Sequence, residues 1–141
     1  MKSLHTLLKL AKRDLETLRR AMAAEIARQT AVEDRIAGHA QALIAEQRAA
    51  QTDYESARAY GGYAVRAMRE ARALESERDA IGEAIEALRE QIAEAHVEAR
   101  KFERLIELEA ARAKKARDRR EAAELDEMAT LRAGRMRSSN T

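Results

Sequence analysis

The stretch on which the fold turns is ARAYGGYAV, residues 57–65. Two adjacent glycines, Gly61 and Gly62, stand between Tyr60 and Tyr63 in a text otherwise rich in alanine and charge. Either the chain runs through them as one long helix, or it reverses there. Glycine has low helix propensity and accepts backbone conformations closed to other residues, so the sequence places the reversal at this pair.

The flanking sequence supports a fold-back. On the N-terminal side one apolar row runs Leu8, Leu15, Met22, Gln29, Ile36, Leu43, Ala50, and a second runs Leu4, Ala11, Leu18, Glu25, Val32, His39, Glu46. After the glycines the rows resume as Ala71, Arg78, Ile85, Ile92, Ala99, Ile106 and as Leu74, Ile81, Leu88, Ala95, Phe102. Paired rows at heptad spacing put a narrow apolar seam on one helix face, and that seam must be buried against another helix. Folding about the glycines sets residue i opposite roughly residue 123 minus i. Leu43 then meets Ile81, Ile36 meets Leu88, Val32 meets Ile92, Met22 meets Phe102, and Leu18 meets Leu105. A parallel dimer of one continuous helix loses this match and carries both glycines at about 1 kcal/mol each.

Composition agrees. Charged residues make up 37% of the chain and aromatics 3%, with no proline, tryptophan or cysteine, so a compact core of large side chains is excluded. The expected fold is all-α, a long antiparallel two-helix coiled-coil hairpin with an overhanging C-terminal helix. It forms a single domain over residues 1–141, with helix about 3–58, turn about 59–63, helix about 64–133 and a frayed tail 134–141. Arms of this kind make a rod on the order of 85–90 Å long. The second arm outruns the first beyond about Arg119, and Leu125, Met128 and Leu131 offer a small apolar face on the excess.

Charge is polarised along the sequence. Lys2, Lys9, Lys12, Arg13, Arg19 and Arg20 share the open end with Arg112, Lys114, Lys115, Arg117, Arg119 and Arg120. Closer to the turn the second arm is acidic, with Glu70, Glu75, Glu77, Asp79, Glu83, Glu86, Glu90 and Glu94. Two ends of opposite character imply two different partners.

No catalytic, cofactor-binding or metal site is expected. His5, His39 and His96 fall at distant levels of the hairpin and cannot share an ion. YGGY lacks the lysine and the strand–helix context of a phosphate-binding loop. The run RAKKARDRR lacks stacking aromatics and is interrupted by Asp118, which argues against nucleic acid and for a solvated helix face or a protein-docking surface. The N-terminal apolar stretch is too short to span a bilayer or to serve as a signal peptide, so a cytoplasmic, non-membrane-spanning protein is expected. Tyr54, Tyr60 and Tyr63, together with Met68, gather near the turn, where they staple it or present a contact surface.

The opening MKSLHTLLKLAKRDLE and the ending REAAELDEMATLR resemble the flagellar type III export protein family FliJ. The best match is Asp126-Glu127-x-Ala129 after an Arg-rich helix, preceded by KFERLIE with Lys101, Glu103 and Leu105. The resemblance extends over essentially the whole chain. It implies a non-enzymatic, central-stalk-like coiled coil that binds and promotes the hexameric flagellar export ATPase, reaches the membrane export-gate protein and handles export chaperones at the flagellar base on the inner membrane. Carried onto this chain, the ATPase-facing set is Lys9, Lys12, Arg13, Arg112, Lys114, Lys115, Arg117, Leu125, Asp126, Glu127, Met128 and Ala129. The gate-facing set is Tyr54, Tyr60, Tyr63 and Met68. The stalk of a virulence-type secretion ATPase and a general coiled-coil scaffold or chaperone are the alternatives.

Overall fold

The computed structural model describes residues 2–140. Two helices account for nearly all of them, α1 (Lys2–Thr52) and α2 (Tyr54–Ser139), packed against each other as a helical hairpin. The chain falls into two compact units: residues Arg13–His96, and the N-terminal stretch through Lys12 with the C-terminal stretch from Val97.

The reversal lies within the first of these units, and it is not at the glycines. A single non-helical residue, Asp53, separates α1 from α2, and the expected turn at 59–63 is helix. Asp53 acts as the N-cap of α2. Its carbonyl accepts the first helical bond from the Ala57 N–H at 3.0 Å. Its carboxylate accepts from the Glu55 N–H at 3.3 Å and from the Ser56 hydroxyl at 3.4 Å. Acceptors placed there satisfy amide groups that a helix start leaves without partners. Glu55 adds a negative charge to the first turn, which the helix dipole favours. On the other side of the break, the Thr52 hydroxyl donates to the Ala49 carbonyl at 2.8 Å, taking up one acceptor of the last turn of α1.

Gly61 and Gly62 are exposed, and no described residue has the positive φ that would require a glycine. The seam continues past them: Tyr60 and Ala64 are half-buried and Ala67 is buried, extending both rows towards Tyr54. Helix propensity costs about 1 kcal/mol per glycine, which is small beside the packing gained by prolonging the seam. Gly134 also lies within α2, on a stretch exposed to solvent. The tail expected to fray from there stays helical through Ser139, whose hydroxyl donates to the Met136 carbonyl at 3.0 Å, and Thr141 lies outside the described residues.

Moving the reversal moves the register. Arg19 donates to His96 Nε2 at 3.2 Å, Arg35 pairs with Glu77 at 3.5 Å, and His39 Nε2 stands 3.3 Å from Glu70. Residue i of α1 therefore lies opposite roughly residue 112 minus i, not 123 minus i. The slip is about eleven residues, close to three helical turns, so the same faces still meet with different residues in contact. Val32 accordingly packs with Ile81 and Ile85, beside Met22 and Ile36, instead of with Ile92.

Every residue of the four expected seam rows is buried or half-buried except Glu46. The seam is shallow nonetheless: among the described residues no side chain is fully enclosed, and the buried set includes Ala11, Ala67 and Ala99. Two polar seam members have a charged neighbour. Glu25 pairs with Arg28 at 3.1 Å, and His39 lies at ion-pair distance from Glu70 without the alignment of a hydrogen bond.

Two stability measurements check this account. A Cβ at Gly61 or Gly62 meets nothing within 4 Å, so Gly61→Ala and Gly62→Ala should each raise thermal stability, by up to about 1 kcal/mol. A reversal at the glycines would instead make both substitutions destabilising. Asp53→Ala removes the cap and should lower stability by about 1 kcal/mol, read from the denaturation midpoint, whereas Asp53→Asn, itself a good cap, should keep most of that stability.

Candidate functional site

The C-terminal part of α2 supplies the most distinctive surface. From Ala110 to Asn140 every described residue is exposed. With α1 beginning at Lys2, the register leaves α2 no partner from about residue 110 onward. The overhang is thus about thirty residues of helix, roughly 45 Å, and starts some ten residues earlier than a reversal at the glycines would place it.

This difference changes what the basic residues do. Arg112, Lys114, Lys115 and Arg117 were expected opposite the lysines of α1, in the paired part of the hairpin. They belong instead to the free helix, where the surrounding segment 110–120 holds six bases against the one acid Asp118. An acidic stretch follows, Glu121, Glu124, Asp126 and Glu127, and then Arg132, Arg135 and Arg137. Leu125, Met128 and Leu131 are 59–66% exposed, and Met136 joins them at 65%. The Asp126 carbonyl also accepts from the Thr130 hydroxyl at 2.8 Å, a local bond along the helix. Lys9 and Lys12 are exposed on the stretch of α1 in the same unit as the overhang, whereas Arg13 falls in the other.

The residues gathered near the expected turn divide into two kinds. Tyr60 and Tyr63 are half-buried, with ring centroids 6.5 Å apart and planes tilted by 33°, and both stand on or beside the seam. Their rings pack within the hairpin where the register sets them opposite the end of α1. Tyr54 is 80% exposed and Met68 58% exposed, so these two present surface. The signal missed in the sequence is TDYES, residues 52–56: an aspartate with a glutamate and a serine in the following turn is a helix-start pattern.

Among the described residues no group of histidine, cysteine, aspartate or glutamate is placed to hold a metal ion. Arg35, His39, Glu70 and Glu77 line an open polar groove on the hairpin, where Arg35 faces Glu77 and His39 faces Glu70 across the two helices. No described helix is long and apolar enough to cross a membrane.

No curated protein matches the chain, and no solved structure does. One family model matches, that of the flagellar FliJ protein, over residues 1–138. That match takes in α1, the Asp53 cap and the overhang together, and the chain accordingly belongs to the FliJ family, as a flagellar export-related coiled-coil protein.

Proposed function

We propose that this protein is the central-stalk-like partner of the flagellar export ATPase, with its free C-terminal helix as the element that enters the hexameric ring. The observation that carries this reading is the overhang itself: a long helix, basic over 110–120, whose described residues are exposed throughout. A slender single helix fits a narrow lumen. Arg112, Lys114, Lys115 and Arg117 would meet acidic loops there, an attraction felt over about 10 Å at 0.1 M salt. Leu125, Met128 and Ala129, with Asp126 and Glu127 between them, add an apolar contact and a polar edge deeper along the same helix. Lys9, Lys12 and Arg13 would rest at the ring entrance.

Hydrolysis belongs to the partner in this scheme, and the stalk biases the ring between its conformational states by binding them unequally. Near the reversal, exposed Tyr54 and Met68 suit contact with the membrane export-gate protein, while Tyr60 and Tyr63 stand half-buried beside one another. Export chaperones would dock on the same hairpin at the flagellar base beside the inner membrane.

The test is the hydrolysis rate and hexamer yield of the cognate ATPase with three chains: full length, truncated after Arg120, and truncated after Ala110. The full chain should stimulate. Truncation after Ala110 should abolish the effect while leaving the paired hairpin folded, since only exposed residues are removed. Truncation after Arg120 separates the basic run from Leu125–Ala129. A folded full-length chain that neither binds nor stimulates would make this protein a coiled-coil scaffold without an ATPase contact.

A further inference from the structure

Gly61 and Gly62 have no task in the observed hairpin. Both are exposed within α2, neither has the positive φ that calls for glycine, and a Cβ at either meets nothing within 4 Å. Adjacent glycines in a helix interior are a standing cost to the fold that holds them there. The seam carries a matching ambiguity. Sliding one arm past the other by about eleven residues, close to three turns, returns the same faces to contact. Val32, now packed with Ile81 and Ile85, then meets Ile92, while Leu43 meets Ile81 and Ile36 meets Leu88. Large apolar side chains face each other at all of these levels, whereas Ala11, Ala67 and Ala99 are among the buried residues of the observed seam. Arms paired in this way reverse at Gly61–Gly62.

We propose that the hairpin has a second register, in which the residues from Asp53 to Arg58 extend α1 and the chain turns at Gly61–Gly62. The seam chooses weakly between the two registers, because no described side chain in it is fully enclosed and little packing is lost in sliding. Polar contacts make the choice. The observed register has the Asp53 cap, the Arg35–Glu77 pair at 3.5 Å and the Arg19–His96 hydrogen bond at 3.2 Å, and sliding gives up all three. It also brings Lys9 level with Lys114 instead of Glu103. The ion pair and the like-charge approach are exposed, so salt weakens both and narrows the gap between the registers. The change is felt at the far end of α2. Pairing that stops at about residue 110 extends to about residue 120, and the bases from Arg112 to Arg117 pass from free helix into hairpin. Whatever grips those bases on the free helix therefore holds the observed register. The inference stands whether or not that partner is an ATPase ring.

The chain has no cysteine, so introduced pairs report on register without background. In the full chain, Val32→Cys with Ile81→Cys should close an intramolecular disulfide at low salt. Val32→Cys with Ile92→Cys should close one in a minority of molecules, and that fraction should grow as salt is raised. Asp53→Ala, which removes the cap of the observed register, should raise the minority about fivefold relative to the majority. Gly61→Ala with Gly62→Ala, which removes the residues that open the alternative turn, should lower it by roughly tenfold. Cysteines in the seam disturb packing, so spin labels at exposed Gln41→Cys and Arg72→Cys give a second reading. They lie level in the observed register and are offset along the axis by about 16 Å in the other, so two distances should appear, in proportions that follow the same substitutions. The proposal is overturned by a Val32–Ile92 disulfide that is absent even with Asp53→Ala at high salt, that ignores the glycine substitutions, or that forms only between two chains. A single label distance under all these conditions overturns it equally.

Discussion

Where α2 begins determines how much of it is left over. The carboxylate and carbonyl of Asp53 gather the Ala57 and Glu55 amides and the Ser56 hydroxyl, and this small set of bonds fixes the start of the helix. The register follows from it, since both arms are continuous and must pair outward from that point. The unequal arm lengths then leave the C-terminal third of α2 without a partner. A cap contributes on the order of 1 kcal/mol, yet it positions every contact along the hairpin.

The seam supplies the energy that the cap directs. It is narrow and shallow, built from alanine as well as leucine and isoleucine, and it tolerates Glu25, Gln29, His39 and Arg78 because each is only half covered. Such a hairpin resists bending less by core volume than by continuity of its two backbones. The exposed pairs along its flanks, Arg35–Glu77 among them, contribute little to stability individually but discourage sliding of one arm past the other.

Much of this was legible in the sequence and one step was not. Heptad spacing identified the seam residues on both arms, with Glu46 alone left exposed near the end of α1. Membership of a row depends on local periodicity, which sequence displays directly. The register depends on where the chain turns, and the rows could not decide that: shifting by three turns returns the same face of each helix to the seam, with apolar residues still meeting apolar ones. The glycine pair then drew the turn to itself, although propensity is a weak prior and an aspartate cap eight residues earlier needed no special backbone. That single misplacement carried over to the site. It put the bases from Arg112 to Arg117 inside the paired hairpin, when they lie on the free helix, and it grouped Tyr60 and Tyr63 with the exposed Tyr54.

The free helix has a mechanical consequence. A lone helix of about thirty residues keeps its shape only through local propensity and neighbouring side chains, because no packed face holds it. Its rigidity is therefore conditional on its surroundings. Held along its length such a helix is stiff; released, it bends or unwinds without disturbing the seam. Such an element behaves as a clutch, stiff when engaged and compliant when not.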